Sequence, residues 1–126
     1  KPKSIWGTKD FDYKTIKTYE DAVKARKVDD DDIIYPTDHP HIVAYKKICH
    51  IIKVINNGWV PNWSDNNQRK YFPYFRVFPS GSGLSVSGCD FGCTAAFVGS
   101  RLLTDSSEKA LYLANQFQDL YVQYLL

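Results

Sequence analysis

The chain has 126 residues, 44% hydrophobic and 24% charged, with a net charge of +2. This composition fits one folded domain with its own core and excludes a disordered chain. Three cysteines make no disulfide framework, no apolar run reaches the ~20 residues a bilayer needs, and +2 alone calls for no polyanion.

No signal-peptide pattern opens the chain, so a cytoplasmic protein with no membrane segment is expected. Residues 1–17 are basic and unpatterned and are expected as an arm, with a single domain from 18 to 126. The first helix signal is "TYEDAVKARK", with Thr18 as N-cap, Asp21 three residues on, and an end near Val28. The acidic run Asp29–Asp32 lacks the Gly and Glu of a calcium loop and is expected as a solvated loop.

A central helix follows, with Asp38 as its cap and Pro40 in its first turn. Ile42, Tyr45, Ile48, Cys49, Ile52 and Ile55 recur at helical spacing, and Asn57–Gly58 supplies a left-handed stop. Lys46, His50, Lys53 and Asn57 align on another face. That basic stripe reads first as a solvated surface and second as the flank of a ligand site.

Gly58 to Phe75, "GWVPNWSDNNQRKYFPYF", holds six aromatics in eighteen residues. Three strands are expected after its tryptophan loop: Lys70–Phe78, Leu84–Gly88 and Ala95–Leu103, joined as an antiparallel meander. The first is apolar on both faces, and Pro73 marks it as an edge. Trp59, directly after the helix stop, is expected to pack back on the last turn of the helix. A last helix begins at Asp105-x-x-Glu108 and carries a broad apolar face from Ala110 to Tyr124.

Catalytic signals are weak. Cys49 and His50 are adjacent on a helix and point about 100° apart. "SGSGLSVSG" has neither Walker nor Rossmann spacing. His39-x-His41 and Cys89-x-x-x-Cys93 lack the usual zinc spacing. No cofactor, metal or catalytic residue is expected.

Charge is unevenly distributed: between His41 and Arg101 seven bases stand against two acids. Aromatics beside bases are the composition of single-strand nucleic-acid platforms, and large aromatics are equally core residues.

Taken together, "TYEDAVKA", "IVAYKKICHIIKVINNGWVPNWSDNNQRKYFPYF" and "GSRLLTDSSEKALYLANQFQDLYVQYL" resemble a family of small uncharacterised proteins of gut Bacteroidetes, their prophages and their phages. The resemblance rests on Gly58, Trp59, Pro61, Trp63, Gln68, Lys70, Tyr71, Pro73 and Phe75, on Ser100, Arg101 and Leu102, and on Gln116, Phe117, Asp119, Leu120 and Tyr121. It runs from about Thr18 to the end. Phe72, where a second Tyr is usual, and the Asp29–Asp32 run depart from the pattern. The resemblance implies a phage or mobile-element setting and brings no known activity.

The expected fold is therefore α+β: a three-stranded antiparallel meander against two main helices, plus a short N-terminal helix. The expected function is non-catalytic binding. Lys46, Lys53, Trp63, Arg69, Lys70, Tyr74 and Arg76 are its candidate residues. Single-stranded nucleic acid is the first candidate partner. The alternative is a phage or host protein, or a second copy of the chain, on the same aromatic face.

Overall fold

A computed structural model describes residues 10–81 and 83–126. Among the described residues the fold is α+β, with four α-helices and a two-stranded antiparallel sheet. The helix α2 (Pro40–Asn56) is its axis. Ile48, Cys49, His50, Ile51 and Ile52 are buried in succession, and Val54, Ile55 and Asn56 continue the run. A helix buried through consecutive positions is covered on nearly all sides. Asn57 ends it at φ 52°, followed by Gly58 at φ 94°, the expected left-handed stop. Pro40 opens it as expected. His39, not Asp38, stands at the N-cap, and it makes no capping bond with its side chain.

Around α2 lie α1 (Tyr19–Ala25) and α4 (Gln118–Leu125). Thr18 caps α1 by accepting from the Asp21 N–H at 3.0 Å, and Asp21 accepts in return from the Lys17 N–H. The helix stops at Ala25, three residues short of expectation. There the buried His50 ring reaches it, with Nε2 placed 2.8 Å from the Arg26 carbonyl and 3.3 Å from that of Ala22. The expected arm is only partly described. Residues 1–9 lie outside the described range, and the stretch after them is docked. Ile16 is in the core, and Tyr112 Oη donates to the Ile16 carbonyl at 2.8 Å.

The last helix is two helices, α3 (Ser107–Gln116) and α4, meeting at Phe117 with φ −116° and ψ 30°. The bend lets α3 lie on the sheet while α4 lies along α2, which one straight helix could not do. Ser106 caps α3, and Asp105 pairs with Lys109 at 3.0 Å.

The sheet pairs β1 (Lys70–Val77) with β2 (Leu84–Gly92). β2 runs four residues beyond the expected strand. It does so through a bulge: Tyr74 faces Gly88 and Phe75 faces Val86, leaving Ser87 extra, with Gly88 at φ 152°. The expected third strand does not form. Residues 95–103 hold bends and one 3-10 turn, Ser100–Leu102, and only Thr104 bridges to Tyr71. The chain leaves β2 in a bend so tight that a Cβ on Gly92 would sit 2.4 Å from the Ala95 carbonyl oxygen. A meander would continue beside β2, whereas this chain crosses to the far edge of β1.

That bridge fixes which way β1 faces. Tyr71 and Thr104 exchange both backbone bonds at 2.9 Å, on the side away from β2. Backbone direction alternates along a strand, so the N–H and C=O groups of Phe75 and Val77 also point away from β2. The Phe78 N–H bond to the Gly83 carbonyl keeps this parity past the bulge. Pro73 shares it, so its missing N–H falls on the outer edge and costs no ladder bond.

The acidic run is not a solvated loop. Asp30–Asp32 form a 3-10 turn, and Asp32 is only 3% exposed. Lys53 Nζ binds Asp29 at 2.6 Å and Asp32 at 2.9 Å. The hydrogen bond from Lys53 holds the Asp29 carboxyl below the usual carboxylate range, against burial. Burial disfavours the Lys53 charge, yet the two carboxylates carry its pKa above the ordinary lysine value.

The pH dependence follows. Asp29 binds its proton less readily when folded. Its contribution is present above the unfolded value of 3.8 and drains away as pH falls toward the lower folded value. Lys53 binds its proton more readily when folded. Its contribution is complete below 10.5 and is lost as pH rises through the higher folded value. Lys53→Met leaves Asp32 buried without its cation and should cost about 2–4 kcal/mol in a denaturant melt at pH 7. Asp29→Asn, at a more exposed position, should cost less than about 1 kcal/mol. Equal losses would place the load on Asp29 and not on the buried Asp32.

Candidate functional site

Of the seven candidate residues, Lys46 and Lys53 are held within the fold. Lys46 Nζ lies 2.7 Å from both the Asp38 carboxylate and the Ile33 carbonyl, and Lys53 holds the acidic turn. Lys70 is 1% exposed. Its Nζ donates to the Gln68 and Cys93 carbonyls and sits 5.0 Å above the Trp63 ring. These three lysines are therefore engaged by partners within the chain. Trp63 is partly buried and donates from Nε1 to Ser100 Oγ at 3.0 Å. Arg69 lies 4.6 Å over the Phe91 ring. Tyr74, 48% exposed, and Arg76 remain open on β1.

The amides of the tryptophan loop serve the loop itself. Asn62 Oδ1 accepts from the Ser64 N–H, Asp65 Oδ1 from the Asn67 N–H, and Gln68 Oε1 from the Asn62 N–H. Such local bonds build turns.

Two concave surfaces among the described residues bear on these candidates. The first is a groove of about 390 Å³ between β1 and the C-terminal end of α4. Phe72, Tyr74, Phe75 and Val77 form one wall, and Tyr121, Tyr124, Leu125 and Leu126 the other. The Phe75 and Tyr121 rings meet at 4.9 Å in its floor. Burial raises the Tyr121 phenol pKa, and its hydroxyl has no hydrogen-bond partner among the described residues. Tyr74, Val77, Leu125 and Leu126 are exposed apolar residues at this groove. Sequence reasoning found the strand wall but not the helix wall, because the apolar face of α4 read as core throughout.

The second is a cleft of about 410 Å³ under the tryptophan loop. Cys49, Ile52, Lys53 and Asn56 of α2 line it with Trp59, Val60, Pro61 and Trp63, and Ser100 and Arg101 close it. Two segments of the sequence, "GWVPNW" and "SR", thus converge on one cavity. The Trp59 N–H bonds the Asn56 carbonyl at 3.1 Å. Its ring is only partly buried and lines the cleft, which lowers the structural role expected of it.

Burial pushes the Cys49 thiol up to about 11 and Tyr45 up to about 12, so both are protonated at neutral pH. His50 is fully buried against α1. Among the described residues no three His, Cys, Asp or Glu side chains gather as a metal cluster, and no helix is long and apolar enough to cross a membrane.

Two outcomes test this arrangement. Lys70→Glu sets a carboxylate against two carbonyls in a buried site and should cost more than about 3 kcal/mol, whereas Arg69→Glu should cost under about 1. A Lys70→Glu melt matching the parent would place that side chain in solvent. All three cysteines are free. In the native protein a water-soluble alkylating reagent should modify Cys89 and Cys93 well before Cys49, and denatured protein should titrate three thiols.

Comparison with protein-family models, with curated proteins and with solved structures finds no match to this chain.

Proposed function

We propose that this chain is a non-catalytic protein-interaction module that takes up an extended segment of a partner protein along the outer edge of β1. The observation that carries the reading is the outward N–H and C=O groups of Phe75 and Val77, which lie beside the apolar β1–α4 groove. An added strand would hydrogen-bond to those groups and send alternate side chains into the groove. Its main-chain bonds would supply affinity, and the groove would select apolar residues. The resemblance to phage and mobile-element proteins suggests a phage or host protein as the partner. Free thiols support a reducing, cytoplasmic setting.

This reading is favoured over single-stranded nucleic acid because Lys46, Lys53 and Lys70 are committed inside the fold. Tyr74, Arg69 and Arg76 alone make a small platform for a polyanion.

Val77→Pro tests the proposal, because it removes an outward N–H and no ladder bond. Peptides selected from a random display library should alternate apolar and polar residues. Their affinity in calorimetry should fall at least tenfold in Val77→Pro while the melting midpoint stays close to the parent. Binding that survives Val77→Pro would sink strand addition. A dimer in sedimentation that Val77→Pro splits would make a second copy the occupant. Steeply salt-dependent binding of single-stranded DNA or RNA, lost in Arg69→Gln with Arg76→Gln, would restore the nucleic-acid reading.

A further inference from the structure

The cleft under the tryptophan loop is separate from the β1 groove. Asn56 is 6% exposed and forms part of its wall. Its Nδ2 donates to the Leu103 carbonyl at 2.9 Å, and its Oδ1 has no accessible surface from which to meet a ligand.

Arg101 is the group left to recognise a ligand. Its side chain is 58% exposed, and its nearest acid is Asp31 at 3.9 Å, beyond hydrogen-bond distance. Asp31 is itself 73% exposed, so this pair contributes little. The guanidinium therefore keeps a fork of donors for an anion with two oxygens. Lys53, the other cation in the cleft, is already neutralised by Asp29 and Asp32.

Between these groups the walls are aromatic and apolar. Trp59, Trp63, Pro61, Val60 and Ile52 contribute them. Trp63 is fixed by its bond to Ser100 and by the Lys70 ammonium against its ring. A cavity of about 410 Å³ lies within the range of small-molecule sites, and such sites combine apolar walls with a few placed polar groups.

We infer that this cleft binds a small planar aromatic carboxylate. The ring packs on the tryptophans and the carboxylate pairs with Arg101. Both recognition elements are needed, which separates this ligand class from a simple anion or a simple hydrophobe.

The test uses the full chain and three probes of similar size. Indole-3-carboxylate and 1-naphthoate each carry an aromatic ring and a carboxylate; indole lacks the carboxylate. Calorimetry and chemical-shift mapping read the binding, since indole fluorescence would be obscured by the probes. Indole-3-carboxylate should bind with Kd on the order of 1 mM or tighter, as its size allows. The resonances of Trp59, Trp63 and Arg101 should shift. 1-Naphthoate should bind comparably, and indole at least fivefold more weakly. Arg101→Gln, at an exposed position, should fold as the parent does and lose at least tenfold for the two carboxylates but not for indole. No saturable binding of either carboxylate would overturn the inference. So would indole binding as tightly as the carboxylates, or an affinity unchanged in Arg101→Gln. Val77→Pro should leave this binding intact, so the outcome is read independently of the β1 edge.

Discussion

The burial of α2 is the constraint from which most of the remaining structure follows. A helix covered on nearly all sides cannot leave its polar side chains to water. Each therefore reaches a loop or an element end. Lys46 takes Asp38 and the Ile33 carbonyl, Lys53 takes Asp29 and Asp32, His50 takes the last carbonyls of α1, and Asn56 takes Leu103. These are the segments that regular hydrogen bonding leaves unsupported. The apolar residues of α2 supply the driving force, and its few polar residues decide where the irregular chain is fastened.

The sheet obeys a different rule. It is narrow, with one face laid on α3. Its outer edge is closed at one end by Thr104 and blunted at Pro73 by a residue that has no donor to offer. Beyond Pro73 the edge runs into the groove that α4 shares. Edge and groove share one origin, the bend at Phe117, which carries α4 away from the sheet toward α2.

Local signals in the sequence were strong. The Thr18 cap, the Asn57–Gly58 stop, both ends of β1 to within a residue and the α+β class follow from capping, left-handed turns and periodicity. What could not be read was which distant segment satisfies a given charge. The spacing of Lys46, His50 and Lys53 on one stripe suggests a wet surface, because helical periodicity says nothing about a loop folding over it. The third strand failed for a related reason. Ala95–Leu103 has strand composition, but its course is set by the close passage at Gly92 and the anchoring of Cys93 by Lys70, both tertiary events. Tyr74 and Arg76 share a strand face whose exposure the sequence left open, and both are exposed. The Trp59–Trp63 cleft needed Ser100 and Arg101, 37 or more residues on, and only the resemblance grouped them with the tryptophans.

The docking of the N-terminal segment on α3 has a consequence for how the molecule is made. Tyr112 and Gln116 bind the carbonyls of Ile16 and Lys17 across sequence separations of 96 and 99 residues. During synthesis α1 and α2 emerge together and can pair through His50, a separation of 24 residues to Arg26. Ile16, by contrast, waits for α3, whose Tyr112 lies 96 residues further on. Closing so long a loop slows folding more than it weakens the folded state. The ribosome-bound chain therefore holds an early helical nucleus with one apolar side open until α3 covers it.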